Sequence, residues 1–84
     1  MERIIDFKPG YYEWLVFLNG KCVHSFGDLS EDIAEGYTVE EIVDTSVDVW
    51  EMNLEENQVY PFTEKETEEL KNMMIKELNY YYAT

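Results

Sequence analysis

Hydrophobic positions along the chain change period part-way. Ile4 to Phe7 and Tyr11 to Leu18 are short runs rich in aromatic and β-branched residues, the composition of strands. Lys8-Pro9-Gly10 between them is turn chemistry: proline presets φ at the second turn position and glycine accepts positive φ at the third. Asn19-Gly20 predicts a two-residue type I′ hairpin, whose twist matches that of its strands, and Lys21 to Phe26 returns antiparallel. On the central strand Tyr12, Trp14, Val16 and Leu18 fall on one face, while Tyr11, Leu15 and Phe17 fall on the other with only Glu13 among them. A strand covered on one side alternates cleanly, so both faces here need cover or one meets a partner.

Beyond the sheet the period lengthens. Ser30 is placed to cap a short helix over residues 31–35, with acids in its first turn and Gly36 at its C-terminal end. Thr38-Val39-Glu40-Glu41 has capping-box spacing and opens a second short helix. Val47 to Leu54 follows Thr45-Ser46 and carries Val47, Val49 and Trp50, which predicts a strand. Glu55-Glu56-Asn57 reads as a loop, and Val59-Tyr60-Pro61-Phe62 as a brief edge strand where proline is tolerated. Thr63-Glu64-Lys65-Glu66 is a second capping box, opening a long C-terminal helix. Leu70, Met73, Met74, Leu78 and Tyr81 form one stripe along that helix and should lie on the sheet. Ile75 and Tyr82 lie off the stripe, either splayed on the surface or part of a contact patch. The expected architecture is one α+β domain over residues 1–84: an antiparallel β-meander of three to five strands, two short acidic helices, and one long C-terminal helix packed on the sheet.

Charge changes the picture more than composition does. The chain carries 19 acidic residues against 6 basic ones, a formal net charge of −13, where small domains ordinarily carry about 2 to 8 charges. Hydrophobic residues make up 45%, too many for an acidic disordered tail. The excess is localised: residues 28–69 hold fifteen acids against Lys65 alone, whereas residues 1–27 are balanced. Six cations beside nineteen anions exclude a phosphate-binding basic stripe. The opening Met1 to Asp6 shows no cationic region followed by an apolar stretch, and Cys22 is the only cysteine, so a reducing, cytoplasmic setting is expected. The longest apolar run, Trp14 to Leu18, is far short of the roughly 20 residues that span a bilayer.

Catalytic and metal chemistry finds little support. Cys22 and His24, two apart on a strand, should share a face about 6.6 Å apart, and no second histidine or cysteine completes a zinc site. Asp44, Ser46, Asp48 and Glu55 match positions 1, 3, 5 and 12 of a calcium loop, but Val49 stands where the sharp turn needs glycine. There is no glycine-rich phosphate loop and no serine elbow, and carboxylate pairs are too numerous to single out an acid–base couple. No enzyme, cofactor or metal is expected.

A use for the charge is easier to argue. A globule of this length is about 30 Å across, and about 30 Å of duplex DNA presents roughly 18 phosphates. Fifteen carboxylates in one half match that to order of magnitude. In size and composition the chain resembles phage-encoded counter-defence proteins, among them anti-restriction, anti-CRISPR and glycosylase-inhibitor DNA mimics. The resemblance covers no motif and carries over no residue roles. It implies a non-enzymatic inhibitor that binds a DNA- or RNA-handling protein through its basic surface. The alternatives are a regulatory or adaptor protein on another basic surface, and a structural protein whose charge serves solubility, as in molar salt. Glu40, Glu41, Asp44, Asp48, Glu51, Glu55 and Glu56 are the expected phosphate surrogates, with Trp50 as an aromatic anchor among them. On a strand, Asp48 and Trp50 would share a face and Glu51 would take the other. The three tyrosines at 80–82 and the two-faced strand are compatible with a homodimer.

Overall fold

The computed structural model describes residues 3–82. Three strands, β1 (Ile5–Pro9), β2 (Glu13–Leu18) and β3 (Lys21–Gly27), form an antiparallel meander in the order β1-β2-β3. Three helices follow: α1 (Ser30–Ala34), α2 (Val39–Met52) and α3 (Glu64–Tyr82). Asn19 and Gly20 both take positive φ, 52° and 83°, as the type I′ turn requires. The first turn lies further along than expected. The Gly10 N–H donates to the Glu13 carbonyl at 2.7 Å, and Tyr11 and Tyr12 form the exposed loop, with Tyr12 at φ 61°. The central strand is therefore shorter than its apolar run.

One face of the sheet is covered. Ile5, Phe7, Trp14, Val16 and Phe26 join Ile42, Val43, Val47 and Trp50 of α2 and Leu70, Met74 and Leu78 of α3 in a single core. Leu15 and Phe17, on the opposite face, are half-buried outside that core, with Lys8 Nζ 5.7 Å from the Phe17 ring centroid. Ile75 and Tyr82 pack against the core and are not splayed, while Tyr81 is 61% exposed with its ring edge-on to Trp14.

Three expectations are overturned. Residues 47–52 are not a strand but continue α2, which is 14 residues long, so only α1 is a short helix. Val39, Ile42, Val43, Val47 and Trp50 fall within an arc of about 140° at 3.6 residues per turn, and burying that stripe outweighs the strand propensity of its valines. Residues 59–62 form no strand; Phe62 is buried and Tyr60 half-buried, its hydroxyl 2.6 Å from Thr67 Oγ1 on α3. Ser30 does not cap α1 but is its first helical residue; Leu29 holds the N-cap position with no side-chain hydrogen bond, and Asp28 Oδ1 accepts from the Ser30 N–H at 2.9 Å just ahead of the helix.

The other helix ends follow the sequence signals. Thr38 and Glu41 exchange side-chain-to-backbone hydrogen bonds, as do Thr63 and Glu66. Gly36, at φ 97°, closes α1: its N–H donates to the Ile33 carbonyl and that of Tyr37 to the Asp32 carbonyl, the Schellman pattern.

Candidate functional site

Continuing α2 through Met52 rearranges the acidic residues. At 3.6 residues per turn Glu40, Glu41, Asp44, Asp48 and Glu51 lie within an arc of about 100°. A strand would have set Glu51 apart from Asp48; the helix unites them. All five are exposed. From Glu40 to Glu51 the helix rises about 16 Å, or one carboxylate per roughly 4 Å, near the 3.4 Å charge spacing of one DNA strand.

Individual acids differ in how free they are. Asp44 Oδ1 lies 3.2 Å from Lys71 Nζ on α3, yet its side chain stays 65% exposed, so the pair leaves the carboxylate open to a partner. Glu41 is committed to its helix cap, and hydrogen bonds with Thr38 hold its carboxyl below the ordinary 4.5. Glu66 is half-buried and engaged twice, by Arg3 Nε at 3.0 Å and by the Thr63 N–H. The Tyr60 phenol is pushed above its ordinary 10.0 by burial first, against the lowering effect of its Thr67 hydrogen bond, with the negative charges of Glu51, Asp48 and Glu66 adding to the rise. Glu55 and Glu56 are exposed in the turn beyond α2, where the Glu55 N–H donates to Gln58 Oε1.

Trp50 does not belong with these acids. It faces the core at 6% exposure, with its ring stacked on His24 (centroids 4.2 Å, planes 9° apart) and edge-on to Phe26, Tyr60 and Phe62. The anchor expected from sequence is therefore a core residue, because position 50 follows Val43 and Val47 on the buried helical face. Of the aromatics interspersed with the acids, Tyr37 remains exposed.

Cys22 and His24 fall on opposite faces. A register irregularity pairs Phe17 with Cys22 and Val16 with His24, leaving Val23 as the extra residue. Because Val16 faces the core and Phe17 does not, the imidazole turns inward and the thiol outward, which removes any thiol–imidazole couple. The first nine positions of the calcium pattern, 44–52, are helical. Among the described residues no three His, Cys, Asp or Glu side chains gather as metal ligands, and no helix is long and apolar enough to cross a membrane.

Burial against Trp50 pushes the His24 imidazole below its ordinary 6.5. The fold therefore favours the neutral ring. Its contribution to stability is complete above pH 6.5 and is lost as pH falls through the lower folded-state value. The lowered carboxyls of Asp28 and Glu41 act in a separate window, contributing above about pH 4 and losing that contribution below it. Urea denaturation at constant ionic strength should show stability falling from pH 7 to 5.5, with a flatter profile for His24→Gln. An unchanged slope in that variant would remove His24 as the cause.

A second surface has a different character. Between β3 and the C-terminal half of α2 runs an open groove of about 710 Å³, walled on its far side by residues 53–61. Val23, Phe26, Val49, Leu54 and Val59 supply apolar lining, and Lys21 is its one formally charged lining residue. Nothing in the charge pattern singles this groove out; it exists because β3 ends the sheet beside α2.

No family model, curated protein or solved structure matches the chain.

Proposed function

We propose that the protein is a non-enzymatic binding protein whose α2 face stands in for nucleic-acid phosphates and blocks a DNA- or RNA-handling protein inside the cell. The supporting observation is the alignment of Glu40, Glu41, Asp44, Asp48 and Glu51 on one exposed helical face at near-strand charge spacing. Retaining so concentrated a charge opposes folding of a small domain through self-repulsion. A charge kept only for solubility would be spread over the surface, whereas residues 28–69 carry −14 and residues 1–27 are neutral. The principal extents are 38 × 27 × 25 Å, so the long dimension equals that of a duplex segment bearing roughly 22 phosphates. Counter-defence inhibition of the anti-restriction or anti-CRISPR kind is one biological setting for such a mimic.

The test is capture of partners by tagged protein from nuclease-treated lysate, washed in steps of salt and then challenged with short duplex DNA. Release of a nucleic-acid-handling protein by the duplex supports mimicry. A retained basic protein indifferent to DNA would replace mimicry with the adaptor reading. Nothing retained at low salt would return the charge to a solubility role.

A further inference from the structure

The two edges of the sheet are unlike. The β1 edge carries Asp6, Lys8 and Pro9, the charges and proline that blunt an edge against pairing. Along β3, the stretch from Val23 to Gly27 carries no formal charge and no proline. In the described residues β3 pairs only with β2, and none of its backbone groups hydrogen-bonds to the 53–61 segment across the groove. An edge of five residues, about 17 Å long, regular from His24 onward and irregular only at Val23, therefore faces a groove of mixed lining, in which the apolar Val49, Leu54 and Val59 stand among the polar Thr45, Ser46 and Gln58.

We propose that the β3 edge and this groove accept an extended segment of a protein partner as a fourth strand. Backbone pairing with β3 would hold the segment, and alternate side chains would enter the groove beside His24 and Phe26, toward Val49 and Val59. Val49 and Val59 are 48% and 84% exposed and await cover. Resting on the basic-partner reading above, charge complementarity defines the rest of the occupant. The one charged lining residue is Lys21, at the start of β3, but Asp28 adjoins Gly27 at the other end of the strand and Glu55 and Glu56 adjoin Leu54 on the opposite wall, so these four charges sum to −2 and favour a basic segment. The matching segment has apolar residues at alternate positions in its centre and Lys or Arg at its ends. A second copy of this chain is disfavoured as occupant, because it would bring another net charge of −13 to the same surface.

The probe is a synthetic peptide, acetyl-Lys-Lys-Val-Thr-Val-Thr-Val-Lys-Lys-amide, titrated into the ¹⁵N-labelled protein at 150 mM NaCl. Two analogues of equal charge carry N-methyl groups on the three valines or on the two threonines, so that each blocks one edge of the peptide. Saturable shifts centred on residues 23–27 are expected, with at least one analogue weakened about 10-fold or more through lost backbone hydrogen bonds. The surface double variant Val49→Gln/Val59→Gln should weaken the unmodified peptide about 5-fold or more while leaving the urea midpoint unchanged. Absence of binding overturns the proposal, as does binding that both analogues reproduce, which would reduce the attraction to charge alone. The acidic-face reading is judged separately, by lysine reversals on α2 in the capture experiment, so either reading can fail without the other.

Discussion

Replacing Trp50 by alanine is expected to cost about 3–5 kcal/mol of folding stability, the usual range for an aromatic lost from a packed core. Its ring ties three parts of the chain together: His24 and Phe26 of β3, its own helix α2, and Tyr60 and Phe62 of the connecting segment. A domain of this length has a total stability of about 4–13 kcal/mol, so the loss would remove between about a quarter and all of it. A urea midpoint followed by circular dichroism, with Trp14 fluorescence as a second probe, measures it. The neighbouring Glu51→Gln, on the exposed face, should shift stability by no more than about 0.5 kcal/mol. If Trp50→Ala instead stays within about 1 kcal/mol of the parent and loses its captured partner, Trp50 is an interface anchor after all.

The second large effect concerns binding. Reversing Glu40, Asp44, Asp48 and Glu51 to lysine adds two charges at each of four positions and takes the net charge from −13 to −5. If each interfacial charge contributes about 1 kcal/mol or more, affinity for a DNA-displaceable partner should fall about 10³-fold. Stability should move the other way. Relief of repulsion should raise stability in dilute buffer, offset by about 0.3–1 kcal/mol for losing Glu40 at the helix N-terminus and by up to about 1 kcal/mol for replacing the Asp44–Lys71 ion pair with two lysines, so that the net change is a rise of a few degrees in melting temperature. In 1 M salt, where the screening length is about 3 Å, most of that gain should vanish. The control reverses Glu13, Glu31, Glu35 and Glu69, all exposed and all off the α2 face, with the same change in net charge. Retained binding in the control and loss in the α2 variant place the contact on α2. Equal loss in both would show that bulk charge, and no particular face, attracts the partner.

These two residue sets also mark how far the candidate site could be read from the chain. The acids themselves were legible by count and position, because carboxylates stay at the surface almost wherever the backbone goes. Their arrangement was not. Read as a strand, residues 47–54 divided Asp48 from Glu51 and brought Trp50 out beside the acids. As a helix, they align the acids and turn Trp50 inward. The β3 groove left no local trace, since β3 and the walls it faces lie at least eighteen residues apart in sequence.

What the sequence determined by itself is what neighbouring residues decide among themselves. Asn19-Gly20 closes its hairpin because both positions tolerate positive φ, and two Thr-x-x-Glu boxes start their helices by satisfying free N–H groups within one turn. The Leu70, Met74 and Leu78 stripe is long and regular enough to show which face of α3 is buried. Only the tertiary structure decided between helix and strand at Val47–Met52, inserted Val23 as the extra residue that separates Cys22 from His24, and left residues 59–62 irregular. At those places local preferences are small or divided, about 1 kcal/mol or less across the strand scale, while burying Val47, Trp50 and Phe62 in a shared core contributes about 1.5–3 kcal/mol for each side chain. Long-range burial outweighs local propensity there.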